Sequence, residues 1–133
     1  MLGKLIYESK GKITCQRVLS VENAVPKLEL SVKGTGIFKG SIEVTEIWTY
    51  WNMQRSNSIT YGEGQGVLTT IDESEVATVT GRGVGKLIDS GLMRWNGTNI
   101  FLTTSNNRLA FLDHLIGVNE DEIDASGSYV HKL

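Results

Sequence analysis

Polar and apolar residues alternate along most of the chain, and this alternation predicts β-strands that each bury one face. Residues 27–33 show the pattern clearly, with Leu28, Leu30 and Val32 on one face. No long stretch has a helical period, and the short apolar run at 109–118 is the one ambiguous segment. We therefore predict an all-β protein, a closed antiparallel β-barrel of about eight strands with little or no helix.

Turn-forming residues divide the chain into strands that are expected to follow one another closely. The predicted strands cover residues 2–7, 12–21, 27–33, 37–51, 92–104, 108–118 and 128–133, with a hairpin between 61 and 87. Turns are predicted at 9–11, 89–91 and 105–107, and the acidic stretch 119–124 is predicted to be a solvated turn. Pro26 is expected to interrupt pairing, and Gly34 and Gly36 to bend a strand. Residues 1–133 are predicted to form one barrel domain.

The predicted hairpin holds two runs of alternating glycines on either side of an acidic turn at 72–75. These glycines are Gly62, Gly64, Gly66, Gly81, Gly83 and Gly85. An antiparallel hairpin about this turn places Gly66 opposite Gly81 and all six glycines on one face. A short turn after the hairpin then places Trp95 beside Gly85. Because glycine patches permit sharp bending or a bulky neighbour, we predict that the Trp95 ring lies on this patch, on the interior face.

The opposite face of the hairpin carries three polar residues, Glu63, Gln65 and Arg82. In the predicted register Gln65 lies across from Arg82, and Glu63 is close enough to Arg82 for an ion pair. If this face is solvent-exposed, the pair contributes little to stability. If it points inward, the three residues form a polar anchor for a ligand, and the pattern leaves both alternatives open. A phosphate loop is disfavoured, because the glycines are spaced by two and no helix follows them.

Glu46 lies in an otherwise apolar face of the predicted strand 37–51. Burying a lone carboxylate is costly, so the group must be paired, hydrogen-bonded or protonated. A structural ion pair with Arg17, Arg82 or Arg94 is one interpretation. The other is a general acid–base role, which perturbed carboxylates in cavities commonly serve. Glu46 is therefore the candidate catalytic residue.

Four aromatic residues, Trp48, Tyr50, Trp95 and Phe101, are predicted to bind a ligand in the barrel interior. Small barrels either fill their interior with side chains or hold one small molecule, so core packing alone would also explain the aromatic residues. Apolar residues on the outer face, such as Ile47, favour a homo-oligomer.

No metal or cofactor is predicted. His114 and His131 have no neighbours at the spacing of metal ligands and are interpreted as structural. The acidic residues between 119 and 124 lack the alternating pattern of a calcium loop. Cys15 lies on an apolar-leaning face without a histidine partner, so we predict an unreactive core thiol.

Composition limits the classes of partner. The 133-residue chain is 40% hydrophobic and 21% charged, and its net charge of −2 gives no electrostatic reason to expect nucleic acid or an anionic membrane surface. There is no apolar run of about 18 residues, no secretory leader, and a single cysteine. We expect a cytoplasmic protein with neither a nucleic-acid nor a membrane partner.

The segments YGEGQG (61–66), ATVTGRGVGK and MRWNGTNIFLTTS are similar to sequences from small uncharacterised prokaryotic proteins related to allene oxide cyclase-like β-barrels. The resemblance covers most of the chain and is most specific at 61–66. It implies a closed antiparallel barrel with an interior pocket, often oligomeric, and it implies no activity. Allene oxide cyclases bind a long fatty-acid epoxide in an apolar cavity, but no catalytic position of theirs matches a motif here.

These observations lead to three functional hypotheses. The first is a protein that binds a small, mainly apolar ligand in the barrel, with one polar contact from Glu46. The second is a cofactorless isomerase or cyclase that acts by confinement, with Glu46 as the acid–base group. The third is a structural or oligomeric module with a filled barrel.

Overall fold

Eight antiparallel strands follow one another in chain order in the computed structural model, and β8 pairs with β1 to close a barrel. The strands are β1 (Tyr7–Glu22), β2 (Val25–Phe38), β3 (Ile42–Gln54), β4 (Ile59–Thr70), β5 (Val76–Asp89), β6 (Leu92–Leu102), β7 (Ile116–Ile123) and β8 (Ser128–Lys132). The predicted fold class is confirmed.

The structure describes residues 3–89 and 91–133. Leu2 of the first predicted strand and Ser90 of the predicted turn at 89–91 lie outside the described residues. Within these two ranges, no helix is long and apolar enough to span a bilayer.

The predicted turn at 9–11 is wrong, because Gly11 marks close packing rather than a change of direction. It lies inside β1 and pairs with Gly34 of β2. A Cβ at Gly11 would collide with the carbonyl oxygen of Lys33, so only glycine lets the two backbones approach this closely.

The predicted strand 37–51 is divided by a turn. Lys39 and Gly40 have positive φ angles of 50° and 73° and connect β2 to β3. The alternation continues through this turn because Phe38 and Ile42, which pair across it, both pack toward the core. The sequence pattern therefore did not reveal the break.

The predicted strand 108–118 is wrong in its first half, where a single 3₁₀ turn, η1 (Ala110–Leu112), replaces it. Leu109 and Leu112 are fully buried. Because they are three residues apart in a 3₁₀ turn, both side chains pack against one end of the barrel interior. Strand β7 begins only at Ile116. We call the connection 103–115 the plug, because it closes this end of the barrel.

Glu75 holds the plug in place. Its buried carboxylate accepts hydrogen bonds from the Leu109 backbone N–H (2.9 Å), from Arg108 Nε (2.8 Å) and from the Ser105 hydroxyl. The Leu109 N–H is the largest of the influences that hold the pKa of Glu75 below its usual range, and Ser105 and Arg108 add to it. The carboxylate therefore stays ionised and connects the start of β5 to the plug.

The glycine hairpin pairs in a register two residues away from the predicted one. Gly64 lies opposite Gly81 and Gly62 opposite Gly83, because the turn after Thr70 is closed by a Thr70 N–H to Glu75 carbonyl bond. A shift of two residues keeps every side chain on the same face, so all six glycines still share one side.

The exposed position of Cys15 corrects the prediction of a core thiol. The β1–β2 ladder shifts register between Ile13 and Cys15. A bulge of this kind reverses the faces of the residues that follow it. Ile13 therefore packs against the core, whereas Cys15 points outward, which the simple alternation of the sequence did not predict.

Candidate functional site

A cavity of about 270 Å³ occupies the half of the barrel opposite the plug. The glycine hairpin forms one wall, and Trp95 lies opposite Gly85 as predicted. A Cβ on Gly85 would lie 2.6 Å from the Trp95 ring, and one on Gly62 would lie 3.1 Å from it. The glycine face and Trp95 therefore point inward, and the glycines provide the space that the indole ring fills.

The cavity has a mainly apolar wall and a polar base. Tyr50 borders it and stacks on the buried Trp48, with ring centroids 5.2 Å apart. Met93 and Ile123 border it nearer the turns that end β5 and β7. An apolar wall with a few convergent polar groups is the usual form of a small-molecule site.

A histidine–carboxylate pair lies at the base, with His131 buried and Asp121 half-buried. His131 Nδ1 is 2.6 Å from Asp121 Oδ1, and its Nε2 is 3.4 Å from Asn99 Nδ2. Because a carboxylate only accepts, Nδ1 carries the proton that points to Asp121. Burial lowers the pKa of His131, but the carboxylates of Asp121 and Glu46 outweigh this effect and raise it above the usual value.

Asn119 completes the base. Its Nδ2 donates to Asp121 Oδ1 at 3.0 Å. Its Oδ1 is buried and has no hydrogen-bond partner in the described part of the chain. Asn119 borders the cavity, and this oxygen is an unsatisfied acceptor at its base.

Glu46 lies beneath the cavity base and is held by three hydroxyl groups. Tyr7 Oη donates to Oε1 at 2.6 Å, and Ser9 Oγ and Tyr129 Oη donate to Oε2 at 2.7 and 2.5 Å. Burial first, and the Glu46 carboxylate second, raise the pKa of both tyrosines, so both remain protonated donors. Tyr129 also borders the cavity and so lies between it and Glu46.

The predicted ion pair between Glu46 and an arginine is wrong. Arg17 pairs with Glu29 and Arg94 with Glu122, both at the surface, and Arg82 lies on the outer face of β5. Three hydroxyl groups of β1 and β8 hold Glu46 in place of an arginine. These two strands pair with each other only when the barrel closes.

Gly34 and Gly36 do not bend their strand but make room for two of these hydroxyl donors. A Cβ on Gly34 would collide with the Tyr129 hydroxyl, and a Cβ on Gly36 would collide with the Tyr7 ring. Both glycines lie within β2 in unbroken pairing with β3.

The structure brings only some of the predicted ligand residues together. Tyr50, Trp95, Glu63 and Arg82 border the cavity. Trp48 supports Tyr50 from the side of the core. Phe101 is fully buried and packs edge-to-face on Phe38, with centroids 6.2 Å apart.

The polar trio of the hairpin lies on the outer face. Its residues alternate with the inward glycines, and they share an outer groove in which Gln65 and Arg82 are exposed. Glu63 pairs directly with Arg82, and Gln65 with Thr80, which corrects the predicted cross-strand neighbours. The Glu63 carboxylate accepts a hydrogen bond from Tyr61 Oη at 2.9 Å.

Sequence reasoning missed most of the polar residues in and beneath the cavity base. They are Tyr7, Ser9, Asn99, Asn119, Asp121, Tyr129 and His131. The charge of the stretch 119–124 favoured a turn, whereas residues 119–123 belong to β7 and every second one faces inward. The same alternation along residues 128–133 would have placed Tyr129 and His131 on one face.

Among the described residues there is no cluster of three or more side chains suited to hold a metal ion.

Comparisons with known proteins identify the fold. No protein-family model matches the chain, and no curated protein matches it. A conserved protein of unknown function from Rhodopseudomonas palustris is 15% identical, with a TM-score of 0.76 over 97% of this chain and 95% of that one. A protein with unknown function from Clostridium acetobutylicum ATCC 824 is 8% identical, with a TM-score of 0.79 over 97% and 93%. These similarities concern the barrel architecture.

Proposed function

We propose that this protein binds a small, mainly apolar molecule inside the barrel. The observation that carries the proposal is the cavity of about 270 Å³, which combines an aromatic wall with a polar base. Its size is near the lower end of small-molecule sites, which span about 300 to 1,000 Å³. A filled structural barrel is less well supported, because the interior is packed only on the side of the plug.

The position of each residue relative to the cavity determines its proposed role in binding. Trp95 and Tyr50 contribute the flat apolar surface, and the glycine hairpin lets a ligand approach the backbone closely. Glu46 fixes the orientation of Tyr129, which borders the cavity, and does not itself reach the ligand.

The proposal is tested by titrating the protein with an apolar fluorescent dye, with Ile123→Trp as the cavity-filling variant. Ile123 borders the cavity, so a larger side chain there should abolish saturable binding. Ile47→Trp is the matched control, because Ile47 lies on the outer face with 51% of its surface exposed. Dye binding that is absent in the wild type, or that is unchanged in Ile123→Trp, would contradict the proposal.

An acid–base enzyme is the second candidate, and the Asp121–His131 pair favours it. Asp121 fixes the tautomer of His131, and His131 borders the cavity. Its Nε2 has only a long contact of 3.4 Å with Asn99 Nδ2, which a bound molecule can displace in order to exchange a proton. In this role His131 replaces Glu46, whose two oxygens are both occupied. Native mass spectrometry of protein from its own host would identify a bound molecule.

Incubating that molecule with the protein in D₂O would then separate the two candidates. An acid–base isomerase or cyclase incorporates deuterium at a carbon atom, where it remains after transfer to H₂O, and loses this activity in His131→Gln. A binding protein leaves the carbon-bound hydrogens unchanged.

The relationship to allene oxide cyclase-like barrels belongs to the same proposal. The YGEGQG segment and a closed barrel with an apolar interior cavity support it. Assembly into a homo-oligomer is proposed on the exposed apolar residues of the outer face, such as Ile47 and Ile100. Sedimentation velocity at several protein concentrations tests this.

A further inference from the structure

Among the asparagine and histidine side chains of the polar base, the group left without a partner in the described residues is an acceptor rather than a donor. Asn119 Nδ2 and His131 Nδ1 both point to Asp121, and Asn99 Nδ2 points to His131 Nε2. Each of these donor groups therefore already has an acceptor within the protein. The buried atom without a partner in the described chain is an acceptor, Asn119 Oδ1.

The orientation of the Asn119 amide is fixed by chemistry. Asp121 Oδ1 lies 3.0 Å from the amide group, and an ionised carboxylate can only accept hydrogen bonds. The NH₂ end must therefore face Asp121, and the oxygen must face the other way. Asn119 retains only 8% of its surface exposure, so the oxygen cannot be satisfied by bulk solvent.

The charges around the base disfavour an anion. Asp121 borders the cavity, Glu46 lies just beneath it, and Asp124 lies at the rim. His131 is the basic side chain at the base, and Asp121 already engages its Nδ1–H. Arg82 also borders the cavity, but its side chain alternates with the inward glycines and points outward. A carboxylate placed against this base would be desolvated beside like charges.

We infer that the ligand is an apolar molecule with a hydroxyl or amino group at one end, which donates a hydrogen bond to Asn119 Oδ1, and that a carboxylate-terminated molecule is rejected. The inference rests on the proposed binding function and narrows it to one class of ligand. The aromatic wall holds the apolar body, and the base selects the head group. We therefore expect a fatty acid to bind less well than an alcohol or amine with the same apolar body.

Displacement of the reporter dye by compounds that share one apolar frame tests this inference. The compounds are 2-phenylethanol, 2-phenylethylamine, phenylacetate and the methyl ether of 2-phenylethanol. The alcohol or the amine should displace the dye about tenfold or more better than the carboxylate and the ether, because only the first two donate. The ratio of amine to alcohol distinguishes an ammonium head from a neutral one.

Asn119→Leu should remove this preference and keep the affinity for the dye. Asn106→Leu is the control, since Asn106 is exposed in the plug, at the end of the barrel away from the cavity. Equal displacement by the carboxylate and the alcohol in the wild type would overturn the inference, and so would an unchanged preference in Asn119→Leu. The comparison of alcohol with ether needs no variant and stands if Asn119→Leu fails to fold. Failure of the dye itself to bind would instead refute the proposed function.

Discussion

Tyr129→Phe should destabilise the protein by about 2 kcal/mol, because it removes one of three hydrogen bonds to a buried carboxylate. Bonds to charged groups contribute about 1.5 to 3 kcal/mol. The Tyr129 hydroxyl lies 2.5 Å from Glu46 Oε2, and Glu46 retains only 1% of its exposure, so water cannot replace the lost donor. Ser9 still donates to the same oxygen, which keeps the cost near the middle of the range.

Urea denaturation followed by circular dichroism measures the effect. With a slope of about 2 kcal/mol per M, the expected loss lowers the midpoint by about 1 M. Tyr61→Phe is the matched control, because it also removes a tyrosine hydroxyl bonded to a glutamate, Glu63, on the outer face of the barrel. Its midpoint should stay close to that of the wild type. Equal shifts in the two variants would refute the reasoning that burial, rather than the bond itself, sets the cost.

Four further results are expected. Gly34→Ala should destabilise the protein by about 1 to 3 kcal/mol, because its Cβ would displace the Tyr129 hydroxyl. Gly85→Ala should shift the Trp95 fluorescence and weaken dye binding, since the indole ring must leave the glycine patch. Cys15 should react with a thiol reagent in the native state as fast as in urea, because it is exposed. Stability should fall as the pH rises above about 10, because the folded protein keeps buried phenols protonated that the unfolded chain would ionise.

Each of these expectations has its own control. Thr35→Ala changes an exposed neighbour of Gly34 and should cost less than about 1 kcal/mol. Gly40→Ala should leave Trp95 fluorescence unchanged, although its positive φ adds a small strain. A native-state thiol reaction that requires unfolding would contradict the bulge at 13–15. An alkaline transition that is the same in Tyr7→Phe would show that the buried phenols do not cause it.

The sequence predicted the closed barrel, the shared face of the six glycines and the contact of Trp95 with Gly85, because each depends on local alternation and a short turn. It favoured the inward orientation of the glycine face but left the alternative open. It also predicted the burial of Glu46. It did not predict the partners of Glu46, which lie on β1 and β8 at the two ends of the chain. Only closure of the barrel brings them together.

The remaining errors have local physical causes. The bulge after Ile13 turned Cys15 to the outer face. An alternating pattern of polar and apolar residues does not reveal an extra residue of this kind. Asp121 was placed in a solvated turn because acidic residues in a run favour solvent. In the barrel Asp121 is half-buried and forms hydrogen bonds with His131 and Asn119. No local pattern of the sequence specifies that these side chains meet.

The short last strand has a consequence for how the protein opens and closes. Strand β8 makes five residue pairs with β1 and four with β7, whereas β1 and β2 share fourteen. Yet β8 carries both Tyr129 and His131. Local opening should therefore begin along this seam, and its amide hydrogens should exchange with solvent first. The seam also joins the most distant parts of the chain, so it should form late in folding. A molecule held in the cavity would slow exchange along β8 selectively, because it binds only the closed barrel.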